Sequence, residues 1–223
     1  MNRLILICVV FLCLLGCATC KNIVNKSNIT ASVNEKNNSR GAGSNFGSNR
    51  RSQLQRYSLA IMARGKASKS MMSRYLRNNN SKISKQKADH FASVYVAECE
   101  AEGINHDIAF AQMCHETNWL QFGGQVDPKQ NNFAGLGATD DGAKGASFPS
   151  IEIGVRAQVQ HLKAYASTGS LNRDCVDPRF TNVEKSSYRG SAKTLDDLTG
   201  KWATDPLYAN NIKKKLRNMF VIK

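Results

Sequence analysis

Glu116 stands near the end of a run, Ala109 to Trp119, that otherwise reads as a buried helix. A carboxylate there needs a reason. With Asn105 as a cap and His106 and Asp107 in the first turn, Ile108, Gln112 and Glu116 recur every four residues and share one helix face. Charged side chains are seldom fully buried alone, so Glu116 either meets a cation or looks into a cleft from the end of its helix. A cleft carboxyl in apolar surroundings keeps its proton near neutral pH, which a general acid requires. The alternative is an ordinary exposed residue on a last turn, with Trp119 packed below it. Cys114 comes two residues earlier and so points about 160° away on a helix, which argues against a nucleophilic Cys-His pairing with His115.

Two further stretches accompany this helix. Asn131-Asn132-Phe133-Ala134-Gly135-Leu136 runs into a glycine-rich loop, and Trp202-Ala203-Thr204-Asp205-Pro206-Leu207-Tyr208 follows much later. In this order they resemble the bacterial glucosaminidase domain of glycoside hydrolase family 73, peptidoglycan hydrolases built on a lysozyme-like helical fold. The resemblance runs from about Ser70 onward. It implies that Glu116, followed by Thr117, is the general acid. The Asn-x-Phe-Gly-type turn of the family corresponds to Asn132-Phe133-Ala134-Gly135, with one residue inserted before the glycine, and Trp202 stands where the last motif usually begins with Tyr.

Glycosidic cleavage through two carboxyl groups needs a protonated acid beside the bridging oxygen and a negative charge near the anomeric carbon. Asp140 and Asp141, on a glycine-flanked loop, are the candidates for the second, although Asp-Asp-Gly is also ordinary turn chemistry. The family leaves room for the substrate's own 2-acetamido group, in which case no second carboxylate is essential. Glu152 reads instead as a helix-start residue and Asp205 as a helix cap. Tyr208, Trp202 and Phe133 are candidates for stacking on a pyranose ring and Asn132 for a hydrogen bond to a sugar substituent, with core packing as the competing role. His161 reads as structural. No cofactor is implied, and the cysteine spacing matches no metal motif.

The chain has 223 residues and a net charge of +14. Residues 21–84 hold 13 Lys or Arg and one acid, Glu35, whereas residues 85–223 hold 17 basic and 16 acidic residues. The basicity therefore belongs to a spacer and not to the domain, which argues against nucleic acid as a partner. Asn2-Arg3 followed by the uncharged Leu4 to Leu15 reads as an export leader, too short to span a bilayer comfortably. Leu14-Leu15-Gly16-Cys17 resembles a bacterial lipobox, which makes Cys17 the expected lipidation site; a leader cleaved nearby is the alternative. Of the remaining cysteines, Cys99 and Cys114 either pair across a helical hairpin or serve as small buried hydrophobes.

The resulting organisation is a leader over 1–20, a flexible basic spacer over 21–69 and one domain over 70–223. The fold class is mainly α, a lysozyme-like helical domain with a small loop-rich or β lobe. Ser84 and Gly103 bracket one helix with Phe91, Tyr95 and Cys99 on one face. Ile151 to Ala166 forms another, Pro206 opens a last one with Tyr208, Ile212, Leu216 and Phe220 in line, and Leu54 to Leu76 carries a weak basic amphipathic pattern. The expected protein is an exported, lipid-anchored monomer that cuts peptidoglycan strands after N-acetylglucosamine. A muramidase, a lytic transglycosylase or a non-catalytic wall-binding module are the alternatives.

Overall fold

A computed structural model describes residues 57–123, 126–138 and 145–221. Six α-helices lie in these segments: α1 Lys69–Asn79, α2 Lys85–Glu102, α3 His106–Glu116, α4 Ile151–Ala166, α5 Phe180–Glu184 and α6 Tyr208–Val221. Short 3-10 turns occupy Pro128–Gln130 and Leu195–Leu198.

The helix boundaries follow from local capping chemistry. The Ser84 hydroxyl accepts from Lys87 N at 3.1 Å, and Gly103, at φ 72°, closes α2 in the left-handed conformation that costs glycine least. The Asn105 amide oxygen accepts from Asp107 N at 3.0 Å to open α3. Ser150 caps α4, with Glu152 in its first turn. Ahead of α6, the Asp205 carboxylate accepts from Leu207 N at 2.8 Å. Phe91, Tyr95 and Cys99 are buried on α2, as their spacing requires. On α6 the buried line is Tyr208, Ile212, Leu216 and Met219, while Phe220 is only partly buried against Tyr57. A helix turns once in 3.6 residues, so three steps of four drift off the face and the last contact falls one residue earlier.

Helix α2 packs against α1, α3 and α4, and α3 also packs against α6. Buried charge reinforces the α2–α4 seam. Glu102 accepts from Lys163 Nζ at 2.7 Å and from the backbone of Asn172 and Arg173, while Glu98 receives Arg156 and Arg173. Cys99 and Cys114 are buried and unpaired, which settles their role as small core residues.

Two sequence expectations change. In the described part of 54–76 no single helix runs through; residues 57–67 run irregularly across the domain and α1 starts only after Ser68, whose hydroxyl accepts from Met71 N. The reason is tertiary: Asp107 takes the N–H groups of Lys66 and Ala67 at 2.8 and 2.9 Å, and Ile61 bonds to Lys193 O and Asn105 N. Ile61 is fully buried, so the packed domain includes residues that the sequence assigns to the spacer. Second, the described part of the stretch after α3 holds turns and no strand pair; among the described residues pairing is limited to isolated bridges such as Ala60 with Thr194 and Met62 with Ile104. Cys17 and the rest of the leader lie outside the described residues.

Gly154 on α4 sets how closely this helix approaches the loop after the Pro128–Gln130 turn. A Cβ there would lie 1.8 Å from the Asn131 carbonyl oxygen. Gly154→Ala is therefore expected to lower unfolding free energy by about 1–3 kcal/mol, the usual cost of overpacking, as measured by denaturant titration.

Candidate active site

Glu116 ends α3, and the rest of that helix is buried. Its Oε1 accepts from the Tyr208 hydroxyl at 2.6 Å, and the Trp202 side chain is near enough to favour the anion as well. Both groups are neutral. Burial disfavours the charged form and outweighs both contributions, so the Glu116 pKa is pushed up to about 7. The neighbouring His115 stacks its ring edge on Tyr208 at 5.4 Å and is held neutral, its pKa pulled down to about 4 by burial and then by Lys215. The carboxyl thus keeps its proton over the lower part of the neutral range, and among the described residues no cation contacts it to hold the anion.

The chain leaves Glu116 through an unusual turn. Asn118, Trp119 and Leu120 adopt φ of 48°, 54° and 61°, a left-handed path that costs each non-glycine residue of order 1 kcal/mol. Thr117 compensates for part of this cost. Its hydroxyl donates to Met113 O at 2.7 Å and accepts from Leu120 N at 2.9 Å, while its carbonyl accepts from Phe122 N. Asn80 adds a bond to Trp119 O, and Lys215 Nζ lies 4.1 Å from the Trp119 ring centroid. These ties fix the end of the helix that carries the carboxyl.

Beside it is a cleft of about 390 Å³ lined by Leu136, His161, Tyr165, Arg179, Tyr188 and Trp202, among others. Glu116 is not in that lining; Trp202 lies between the two, contributing one face to the cleft and standing near the carboxyl. The His161 ring meets Trp202 edge-on at 4.9 Å, and its Nδ1 lies 2.7 Å from the buried Asp177 carboxylate, which fixes the imidazole orientation. Tyr165 and Tyr188 stack at 6.2 Å. An aromatic wall with a few polar groups is suited to sugar rings.

The expected site residues divide. Trp202 and Tyr208 converge on Glu116, although Tyr208 is 1 % exposed and serves the carboxyl from inside the core. Asn132 is 1 % exposed and does not reach the cleft: its amide donates to Leu136 O and Ala146 O and accepts from Leu136 N, so it staples its own loop. Phe133 meets Phe91 edge-on at 5.1 Å in the core. Both support the Ala134–Ala138 segment that lines the cleft, in place of the sugar contacts expected of them. Asp140 and Asp141 lie outside the described residues.

A model of the glucosaminidase family, described as mannosyl-glycoprotein endo-beta-N-acetylglucosaminidase, matches residues 92–220. The chain belongs to this family. An uncharacterized protein of Borreliella burgdorferi is 43% identical over 164 residues, which cover 74% of this chain and 78% of that protein. No solved structure matches. Family membership makes the chain a glycoside hydrolase and implies peptidoglycan as substrate. The mainly helical structure agrees with the lysozyme-like class.

Sequence reasoning missed His161 with Asp177, and Gln158 of α4. The available signal was a glutamine and a histidine within a helix whose other residues are mostly apolar.

The raised pKa has a thermodynamic consequence. Because the folded value of about 7 exceeds the ordinary 4.5, the contribution of Glu116 to stability is greatest below 4.5 and is lost as pH rises through 7. Glu116→Gln removes the cost of burying the anion. The variant is expected to exceed the wild type in unfolding free energy by about 1–3 kcal/mol near pH 8, with the difference shrinking as pH falls from about 7 and closing by about pH 4.5, in paired denaturant titrations.

Proposed function

We propose that this glucosaminidase-family protein is an endo-β-N-acetylglucosaminidase that cuts the β-1,4 bond between N-acetylglucosamine and N-acetylmuramic acid, with Glu116 as general acid. The observation that carries the reading is the setting of Glu116: a carboxyl that burial pushes toward neutral pH is oriented by the Tyr208 hydroxyl at 2.6 Å, with Trp202 between it and the aromatic cleft.

In this mechanism the free oxygen of Glu116 delivers its proton to the bridging oxygen as the C1–O bond breaks, and the leaving sugar departs with a neutral hydroxyl. Tyr208 and Trp202 stabilise the carboxylate left behind, which then takes a proton from the incoming water. Positive charge at the anomeric carbon is met by the substrate's 2-acetamido oxygen or by a carboxylate of Asp140 or Asp141. Trp202, Tyr165 and Tyr188 provide the apolar faces against which pyranose rings pack. The reading extends to location: an exported protein anchored through an acylated Cys17, with the basic spacer lying against anionic wall polymers or head groups.

Digestion of purified peptidoglycan by the full chain and by Glu116→Gln, followed by reduction and mass spectrometry of the fragments, tests the chemistry. Reduced N-acetylglucosamine ends are expected from the wild type, and the variant is expected to lose at least about a hundredfold in rate. Muramic or anhydromuramic ends would assign the sister activity, and intact glycan with wild type would overturn the proposal. For the anchor, Cys17→Ala is expected to move the protein from the membrane fraction to the soluble fraction on cell fractionation and to abolish incorporation of labelled fatty acid.

A further inference from the structure

Behind Glu116 the core holds a continuous chain of polar side chains contributed by four helices. The Tyr95 hydroxyl of α2 donates to Gln158 Oε1 of α4 at 2.6 Å. Gln158 Nε2 donates to Gln112 Oε1 of α3 at 2.9 Å, Gln112 Nε2 donates to the Tyr208 hydroxyl of α6 at 2.8 Å, and Tyr208 donates to Glu116 Oε1 at 2.6 Å. Tyr95, Gln158, Gln112 and Tyr208 are each at most 1 % exposed.

An amide has a donor end and an acceptor end, so such a chain has a direction, and one contact decides it. Gln158 Nε2 also lies 3.0 Å from the backbone carbonyl of Ala109. That oxygen can only accept, so Gln158 must present its NH₂ group there and to Gln112. Gln112 then presents its oxygen to Gln158 and its NH₂ group to Tyr208. The phenol oxygen, already accepting from Gln112, directs its own proton to Glu116. Oε1 of the carboxyl is thereby kept as an acceptor, and the acidic proton resides on Oε2.

We infer that Gln158 and Gln112 are positioning residues which, anchored by the Ala109 carbonyl, fix the direction of the Tyr208–Glu116 hydrogen bond and so keep the acid proton on the oxygen available to substrate. Without Gln112, the phenol oxygen is free to accept the Glu116 proton and sequester it away from the cleft. Without Gln158, Gln112 loses the donor that holds its amide in place and can turn its oxygen toward Tyr208.

Among the described residues the groups facing Glu116 are few. Tyr208 comes from α6 and Trp202 from the turn before it; His115 on α3 is neutral; Lys215 and Asp205 act on His115. Gln158 of α4 carries no charge, and burial holds the Tyr95 hydroxyl well above its ordinary pKa, so it keeps its proton.

The catalytic half of this inference rests on Glu116 as the acid, whereas the relay itself can be tested without turnover. Titration of the full chain with ¹³C-labelled glutamate, read by infrared difference against Glu116→Gln, gives the Glu116 midpoint directly. Gln112→Met and Gln158→Met are each expected to raise that midpoint by about 0.3 to 1 pH unit, the scale of weakening one charge-assisted bond, with folding checked by thermal melts. In the unaltered protein, the side-chain NH₂ resonances of Gln112 and Gln158 are expected to move with the Glu116 midpoint, a readout that needs no variant to fold. Amide resonances unmoved through that titration, or a wild-type midpoint in either folded variant, would overturn the relay. On peptidoglycan, Gln112→Met is expected to lower kcat severalfold with KM little changed and to move the basic limb of the rate profile upward. If the wild type cuts no glycan while the midpoints shift as stated, the proposed reaction fails and the relay stands.

Discussion

The hydrogen bond from Tyr208 to Glu116 joins the last helix to the end of α3 across 92 residues of chain, and much of the architecture can be understood as what makes that contact dependable. A lone carboxyl in or at the edge of a core is costly, and the buried acids avoid the cost through strong partners. Glu98 meets two arginines, Glu102 a lysine and two backbone N–H groups, Asp107 two backbone N–H groups, and Asp177 an imidazole. Glu116 is held by a phenol, with a neutral indole nearby. A neutral donor orients the group without forcing it to ionise, and that difference separates Glu116 from the carboxyls that hold the fold together.

The surroundings of the carboxyl are correspondingly rigid. Its helix is buried on all sides and capped at the start by Asn105. Its end passes into a left-handed turn whose strain is offset by Thr117, which gives the Glu-Thr pair a physical reason: the threonine hydroxyl spans the change of hand. On the cleft side, Asn132 and Phe133 hold the Ala134–Ala138 backbone in place from behind, and Gly154 allows α4 to sit directly against Asn131.

Much of this was legible in the sequence because its causes are local. Caps at Ser84, Asn105 and Ser150 and the four-residue spacing of apolar side chains mark the helices, and α4 runs from Ile151 to Ala166 as its pattern requires. Glu116 was legible as a polar residue out of place in an apolar helix, and Tyr208 and Trp202 through their family motif. What failed depends on partners that the local pattern does not announce. Asn132 in a glycine-rich loop reads as ready for a ligand, yet its amide is consumed by its own loop. Gln158 stands out only as a polar residue in a mostly apolar helix, and nothing near it in sequence reveals that Tyr95 and Gln112 are its partners. Residues 57–67 carry little regular pattern, because their order comes from Asp107 and Lys193.

That Glu116 and Tyr208 lie so far apart in sequence also bears on when during synthesis the site comes into being. Chains emerge from the amino end, and at the stage when α1 to α4 have been made, Glu116 and Gln112 exist while Trp202 and Tyr208 do not. A chain interrupted before residue 208 would carry the carboxyl without the phenol that orients it and without α6, the helix against which α3 packs. The order of elements thus acts as a timer. The oriented carboxyl comes into being only once nearly all of the sequence is present, so fragments from aborted synthesis lack a completed site.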